Sequence, residues 1–373
     1  MEFFIDRDPF LKVLTRIQTV VERRNTMPVL GNALLKVEDG NLMISATDLE
    51  VSLRTVTQVE MVIPGDLSVG ARTLFDVVKE LPSKPIRLRR EGDRLLLTCD
   101  RARFDLAGLP AELFPEIPQP EGEFRLELPR ELLAELLEKT YFAMSYDETR
   151  FVLNGVLLQL TPAEIEGGLG HIRMVATDTH RMAMMEGHVD SPIPDFREAI
   201  IPRKTVSELR KLLEEDADTV ELILGPAHLQ LIKPELSLIS KVVQGRFPDW
   251  RRVVPTGNTV HMTTAREALQ QVVKRMTTLS HEKSIGVRIR IEGNRMQIVS
   301  VNPEQDEAEE EMAVDFNGTI PITIGFNARY LREILSAIAG ESVRFAFKDD
   351  ESPVLVFDPE RNNALFVLMP MRV

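Results

Sequence analysis

Thr177-Asp178-Thr179-His180-Arg181 places a carboxylate two residues from an imidazole. Residues two apart on a strand share a face, so Asp178 and His180 are a candidate acid/base pair and would suit a hydrolase. The remainder of such a site is missing. The sequence has no nucleophile elbow, Walker loop, HExxH motif or glycine-rich dinucleotide fingerprint. Thr47-Asp48 stands at the matching place of an earlier repeat with no histidine after it. A strand end and turn fixed by the aspartate is therefore the better reading. The acidic run Glu304-Gln305-Asp306-Glu307-Ala308-Glu309-Glu310-Glu311 offers oxygen donors for a divalent cation, but charge runs more often form solvated faces or meet a basic partner. The single cysteine, Cys99, gives neither a disulfide framework nor a multi-cysteine metal site. The expectation is no catalytic residue, no metal and no cofactor.

The elements that carry these residues recur three times. An apolar strand and an amphipathic helix appear as Phe3-Phe4-Ile5 with 10–24, as Phe124 to Leu128 with 130–144, and as Val260-His261-Met262 with 265–279. Apolar residues fall at three and four spacing, as in Leu132, Leu133, Leu136 and Leu137, or Leu269, Val272, Val273 and Met276. A second strand and helix follow in each repeat at 69–81, 201–212 and 324–335, and short strands come after them. The repeat is about 120 to 130 residues, the size of one domain. The fold class is α+β: three repeated domains, each with two helices and antiparallel sheets, expected at 1–121, 122–256 and 257–373. Pro-rich segments near 114–120 and 253–257 mark the junctions.

Charge is distributed unevenly over this frame. The chain carries −13 in total, yet the six predicted helices, taken as 9–24, 72–82, 130–144, 203–215, 265–279 and 328–339, together carry +6, leaving −19 for strands and loops. Helices facing a common centre would form a basic lining inside an acidic shell. Arg101 and Arg103 flank a strand running into Phe104 and Leu106, whereas Thr278 and Leu279 lie near the acidic run with Glu304, Asp306 and Glu307. Such complementary ends close on themselves or join head to tail between subunits, and two three-repeat chains would close a ring of six domains. The N-terminus lacks a basic n-region and no apolar stretch approaches the roughly 20 residues of a membrane span. The cytoplasm is expected and membrane insertion is not.

A family resemblance then runs the length of the chain. Its strings are Thr26-Met27-Pro28-Val29-Leu30-Gly31-Asn32, Thr47-Asp48-Leu49-Glu50, Leu153-Asn154-Gly155, Ala176 to Arg181, Gly245-Arg246-Phe247-Pro248-Asp249-Trp250-Arg251-Arg252-Val253, Asn302-Pro303-Glu304-Gln305 and Met369-Pro370-Met371-Arg372. In this order they resemble the bacterial DNA polymerase III beta subunit, the sliding clamp. The resemblance implies a homodimer that encircles double-stranded DNA without sequence specificity and tethers polymerases to it. It also implies a hydrophobic groove that receives short linear motifs of the replicative polymerase alpha subunit, the clamp-loader delta subunit, other polymerases and repair proteins.

By matching position, the groove comprises Leu153, Thr177, His180, Arg181, Met182, Pro248, Arg252, Val253, Val367, Leu368, Met369, Pro370, Met371 and Arg372. The Met side chains suit a site that repacks around several anchors, and His180 with the arginines would supply a polar rim. Arg24, Arg72, Arg203 and Lys204 are the implied phosphate contacts. Arg24 is placed on the exposed end of the first helix, and Arg203 and Lys204 open a helix whose N–H groups add to the attraction. Arg101, Arg103, Phe104, Leu106, Thr278, Leu279, Glu304, Asp306 and Glu307 are the implied dimer contacts. The chain departs from the family pattern at Val152, Thr179, Met182, Thr278 and Val373, and its 161–170 segment is longer than usual.

Overall fold

The computed structural model describes residues 1–21, 27–118, 124–165, 168–214, 217–279, 286–302 and 304–372. Among them the helices are α1 (Arg7–Val20), α2 (Ala71–Glu80), α3 (Arg130–Glu138), α4 (Arg203–Leu213), α5 (Arg266–Met276) and α6 (Ala328–Ala337). Each buries one face at helical spacing, such as Phe10, Val13, Leu14, Ile17 and Val20 of α1 or Leu269, Val272, Val273 and Met276 of α5. Strands such as Phe124–Pro129 and Gly286–Glu292 alternate buried and exposed residues, as a one-sided sheet requires. The chain forms three α+β repeats of two helices with antiparallel strands. No described helix is long and apolar enough to cross a membrane.

Two compact units are present. The first holds residues 1–131 and 207–242. Its thirteen-stranded sheet begins with Phe124–Pro129, Thr219–Leu224, His228–Lys233 and Leu236–Lys241, and continues through Val51–Gln58, Asn41–Thr47, Asn32–Glu38 and Gly65–Gly70. It then runs through Ala102–Leu109, Arg94–Cys99, Pro85–Glu91 and Glu2–Asp6 to Glu60–Ile63. Strands of the first and middle repeats join in this sheet where Leu236 opposes Thr55 and Ser240 opposes Val51.

The second unit holds 132–206 and 243–373, with one nine-stranded and one four-stranded sheet. Its repeat boundary is closed by Arg181–Val189 pairing antiparallel with Arg361–Leu368, in the register Arg181 with Leu368 and Met182 with Val367. The apolar tail is thus a sheet strand through Leu368. Residues Met369 to Met371 leave the strand half-exposed and Arg372 is exposed.

Two helices stop earlier than their apolar spacing predicts. α1 ends at Val20, with Val21 extended at φ −73° and ψ 125°, and Arg24, expected on this helix, lies outside the described residues. Helix α3 ends at Glu138 rather than 144, and only a 3-10 turn, Tyr141–Ala143, follows. The Thr140 hydroxyl donates to the Leu136 carbonyl at 2.7 Å. The carbonyls of Phe142, Met144 and Ser145 accept from Arg181 and Arg203. Main-chain acceptors at the unwound end are satisfied by arginines, so ending the helix leaves these polar groups met.

Candidate functional site

Asp178 and His180 do not lie on a strand. They form the turn between Gly170–Thr177 and Arg181–Val189. Asp178 Oδ1 accepts the backbone N–H of both His180 and Arg181 at 3.0 Å, and its Oδ2 accepts Arg181 Nε at 3.1 Å. Thr177 Oγ1 accepts the Thr179 N–H at 3.1 Å and donates to the Arg181 carbonyl at 2.7 Å. The first repeat makes the same turn. There Asp48 Oδ1 accepts from Glu50 and Val51, and Thr47 Oγ1 accepts from Leu49. The residue after each aspartate is left-handed, with φ 77° at Thr179 and 76° at Leu49. The aspartate is committed to turn geometry, so it does not serve as the partner of a proton-transferring histidine.

Below the turn lies an apolar floor. Leu153, Met182 and Val367 are buried with Leu157, Val175, Ile200, Phe247 and Trp250, and the half-buried Val152, Val253 and Leu355 pack against them. Each such side chain contributes about 1.5–3 kcal/mol by leaving water. Two glycines permit the approach. A Cβ on Gly155 would stand 2.4 Å from the Ile201 carbonyl, and Gly245 has φ 138° with Val152 and Phe151 over it. Met182 is fully enclosed, so it belongs to the floor rather than to a side chain free to repack around a guest. Thr177 and Leu368 are buried as well.

Above the floor stand half-exposed Met369, Pro370, Met371 and Val253, with exposed His180, Pro248, Arg252 and Arg372. The tail is fixed by its main chain: Met369 N–H donates to the His180 carbonyl at 3.0 Å and Met371 N–H to the Gly325 carbonyl at 2.8 Å. Its methionine side chains are left to adapt. Arg252 is bonded to Asp249 at 3.2 Å, yet its side chain is 86% exposed.

Arg181 is not a rim residue. It is 2% exposed and donates to Asp178, to Glu333 of α6 and to the Phe142 carbonyl. Its guanidinium lies 4.2 Å from the Tyr330 ring centroid and 5.2 Å from that of Phe142. A buried guanidinium needs this many partners to offset its lost hydration. Tyr330, absent from the sequence-derived set, stacks on His180 at 6.2 Å between centroids, and burial, followed by the charge of Asp178, pushes its hydroxyl pKa up. Asn327 sets its position by capping α6, accepting from Arg329 and Tyr330 N–H. The signal available in sequence was Tyr330 and Glu333 at i and i+3, which share a helix face.

The other expected residues fall elsewhere. Arg72, half-buried, donates to the Val21 carbonyl at 3.1 Å, capping the chain end of α1. Arg203 donates to Met144 and Ser145 at 2.8 Å each, its guanidinium 3.7 Å from the Tyr146 ring centroid. Its backbone N–H is given to the Asn154 carbonyl, so it adds nothing to a helix-end anion site. Lys204 is half-buried.

Among the described residues, two sheet edges of contrasting charge lack a neighbouring strand. In the first unit, Ala102–Leu109 pairs fully with Arg94–Cys99 but meets Gly65–Gly70 only at Gly108 and Leu109. Over 102–107 its other edge is unpaired, with Arg101 and Arg103 exposed and Phe104 and Leu106 half-buried. In the second unit, Glu307–Ala313 pairs only with Arg295–Val301. Glu304, Asp306, Glu307 and Thr278 are exposed beside it, while the Leu279 side chain lies outside what is described. The acidic run is held by Gln297 on Glu309, Arg275 on Glu310 and Arg295 on Glu311. Among the described residues no group of three or more His, Cys, Asp or Glu is placed to share one metal ion.

Residues 1–118, 127–249 and 251–372 match the N-terminal, central and C-terminal domains of the DNA polymerase III beta subunit. Over the whole of both chains, the sequence is 40% identical to the beta sliding clamp of Pseudomonas aeruginosa and 39% to that of Caulobacter vibrioides. The solved structure of the Pseudomonas aeruginosa DNA polymerase III subunit beta bound to griselimycin matches with a TM-score of 0.94 at 39% identity, all of both chains covered.

Proposed function

The chain belongs to the DNA polymerase III beta subunit family, the beta sliding clamps, and from that premise we propose how it works. Two copies join head to tail, close around duplex DNA as a six-domain ring and tether polymerases to it without catalysing a reaction. The domains run 1–121, 122–256 and 257–373, and the ring works in the cytoplasm.

The observation that carries this reading is the pair of unpaired edges. An exposed strand edge is a template for pairing with another chain. The edge at 102–107 is basic with an apolar side, and the edge at 307–313 is acidic, so the second completes the first. Unlike ends join heterologously, and with two subunits the arrangement closes. Phe104 and Leu106 would pack near Thr278 and Leu279, with Arg101 and Arg103 facing Glu304, Asp306 and Glu307.

The groove takes short linear motifs of the polymerase alpha subunit, the clamp-loader delta subunit, other polymerases and repair factors. Its buried floor is preformed, so a peptide pays little ordering cost on the protein side, while Met369 and Met371 fit different apolar anchors. Arg24, Arg72, Arg203 and Lys204 touch phosphates. Arg72 and Arg203, braced against carbonyls, present fixed partial contacts rather than long flexible tethers. Sequence-independent, salt-sensitive contacts suit sliding.

A monomeric three-domain peptide scaffold is the alternative from a different class. Sedimentation separates them: the ring requires a mass near twice the 42.2 kDa of one chain, and a strictly monomeric protein would reject it.

A further inference from the structure

The hairpin that bears His180 at its closed end bears two more imidazoles at its open end. His171 and His188 are direct cross-strand partners in Gly170–Thr177 and Arg181–Val189. Their ring centroids lie 4.6 Å apart with planes inclined at 58°. His188 is exposed and His171 half-buried, so solvent reaches the pair. Two imidazole nitrogens bound to one ion at about 2.0–2.1 Å stand about 3 Å apart. Rings with this centroid spacing reach that separation by side-chain rotation alone, because the antiparallel register already supplies the backbone geometry.

The next pair along the same face, Arg173 and Glu186, is bonded to itself, with Arg173 Nε donating to Glu186 Oε2 at 2.9 Å. Among the described residues no third His, Cys, Asp or Glu joins the histidines. Two ligands do not make a closed structural centre, which takes four.

We propose that His171 and His188 form a bidentate, water-completed site for a late first-row divalent cation: Zn²⁺, Ni²⁺ or Cu²⁺. Imidazole suits these ions, whereas Mg²⁺ seeks oxygen ligands and is not held. The ion exchanges readily and staples the open end of the hairpin whose turn carries Thr177 to Arg181. It stabilises the folded chain by mass action, because the unfolded chain does not hold the two rings together.

The test is calorimetric titration of the tag-free, full-length protein with ZnCl₂ and NiCl₂, alongside thermal unfolding with each salt and with MgCl₂. One ion per chain and a raised melting temperature are expected with Zn²⁺ and Ni²⁺, and neither effect with Mg²⁺. His188→Gln and His171→Gln should each weaken binding by about tenfold or more, no less than loss of an outer partner of a metal ligand costs. His180→Gln should bind as the parent does. Undiminished binding in His188→Gln, or no ion bound by the parent, overturns the proposal. Because His188 is exposed, its variant should fold normally; Cu²⁺ paramagnetic resonance of the parent decides the matter without any variant, two equatorial nitrogens supporting the site and none overturning it.

Discussion

Arg181 and Glu333, 152 residues apart in sequence, are joined by a guanidinium–carboxylate bond between a sheet strand and α6. The same guanidinium holds Asp178 of the turn and the Phe142 carbonyl. One buried cation therefore fixes the hairpin turn, the chain after α3 and the helix bearing Tyr330, three segments that border the groove.

Arg181→Ala should destabilise the protein by about 3 kcal/mol, since it strips a buried partner from two carboxylates and a carbonyl. Arg181→Lys should not restore it, because an ammonium cannot reproduce the planar fork over the Tyr330 ring. Glu333→Gln should cost less, about 1 kcal/mol, as that side chain is nearly a third exposed. Denaturant unfolding checks the order, and equal losses for Arg181→Ala and Glu333→Gln would contradict it.

Thr179 and Leu49 occupy left-handed backbone in equivalent turns, where L side chains are strained. Thr179→Gly and Leu49→Gly should each stabilise by about 0.5–1 kcal/mol, the strain relieved exceeding the added freedom of the unfolded chain. The Arg150 bond to the Thr179 hydroxyl at 3.2 Å is exposed and its loss should subtract little. Thermal unfolding reads both, and a lowered melting temperature in both would refute the strain assignment.

Deleting residues 369–373 should abolish binding of a fluorescent peptide bearing an apolar polymerase motif and leave the dimer mass unchanged. The strand ends at Leu368, so the deletion removes the half-exposed methionines and the two main-chain bonds of Met369 and Met371, not the core pairing. Loss of dimer and fold together would mean that the tail is a core element.

The edge at 102–107 yields a separate outcome. Leu106→Glu should place a charge against the acidic edge of a second copy and shift sedimentation toward one chain mass. Circular dichroism should not change, because Leu106 is half-buried rather than enclosed.

Three repeats, six helices and the turn function of Asp178 were legible because they rest on local spacing: apolar residues at three and four, and a Thr-Asp pair at a strand end. The place of the tail residues 367–372 in the groove was implied by the family resemblance and not by local spacing. Arg181 was misplaced to the rim because an arginine after an exposed histidine reads as polar surface, and its partner lies on a helix that no local pattern connects to it. Arg72 and Arg203 were implied as phosphate contacts by the family resemblance; their bonds to the Val21, Met144 and Ser145 carbonyls leave no trace in side-chain sequence. The overlong α3 expectation failed at Thr140 because tertiary arginines, not a local breaker, take up the carbonyls beyond it.

The central claim is topological, and it is tested most directly by loading the protein onto nicked circular duplex with a clamp loader and ATP, removing free protein, linearising the DNA and following what stays bound. Retention on circles with rapid loss from linear ends is the predicted result, since a closed ring leaves only over an end. Equal loss from circular and linear DNA would show ordinary electrostatic binding and contradict the ring.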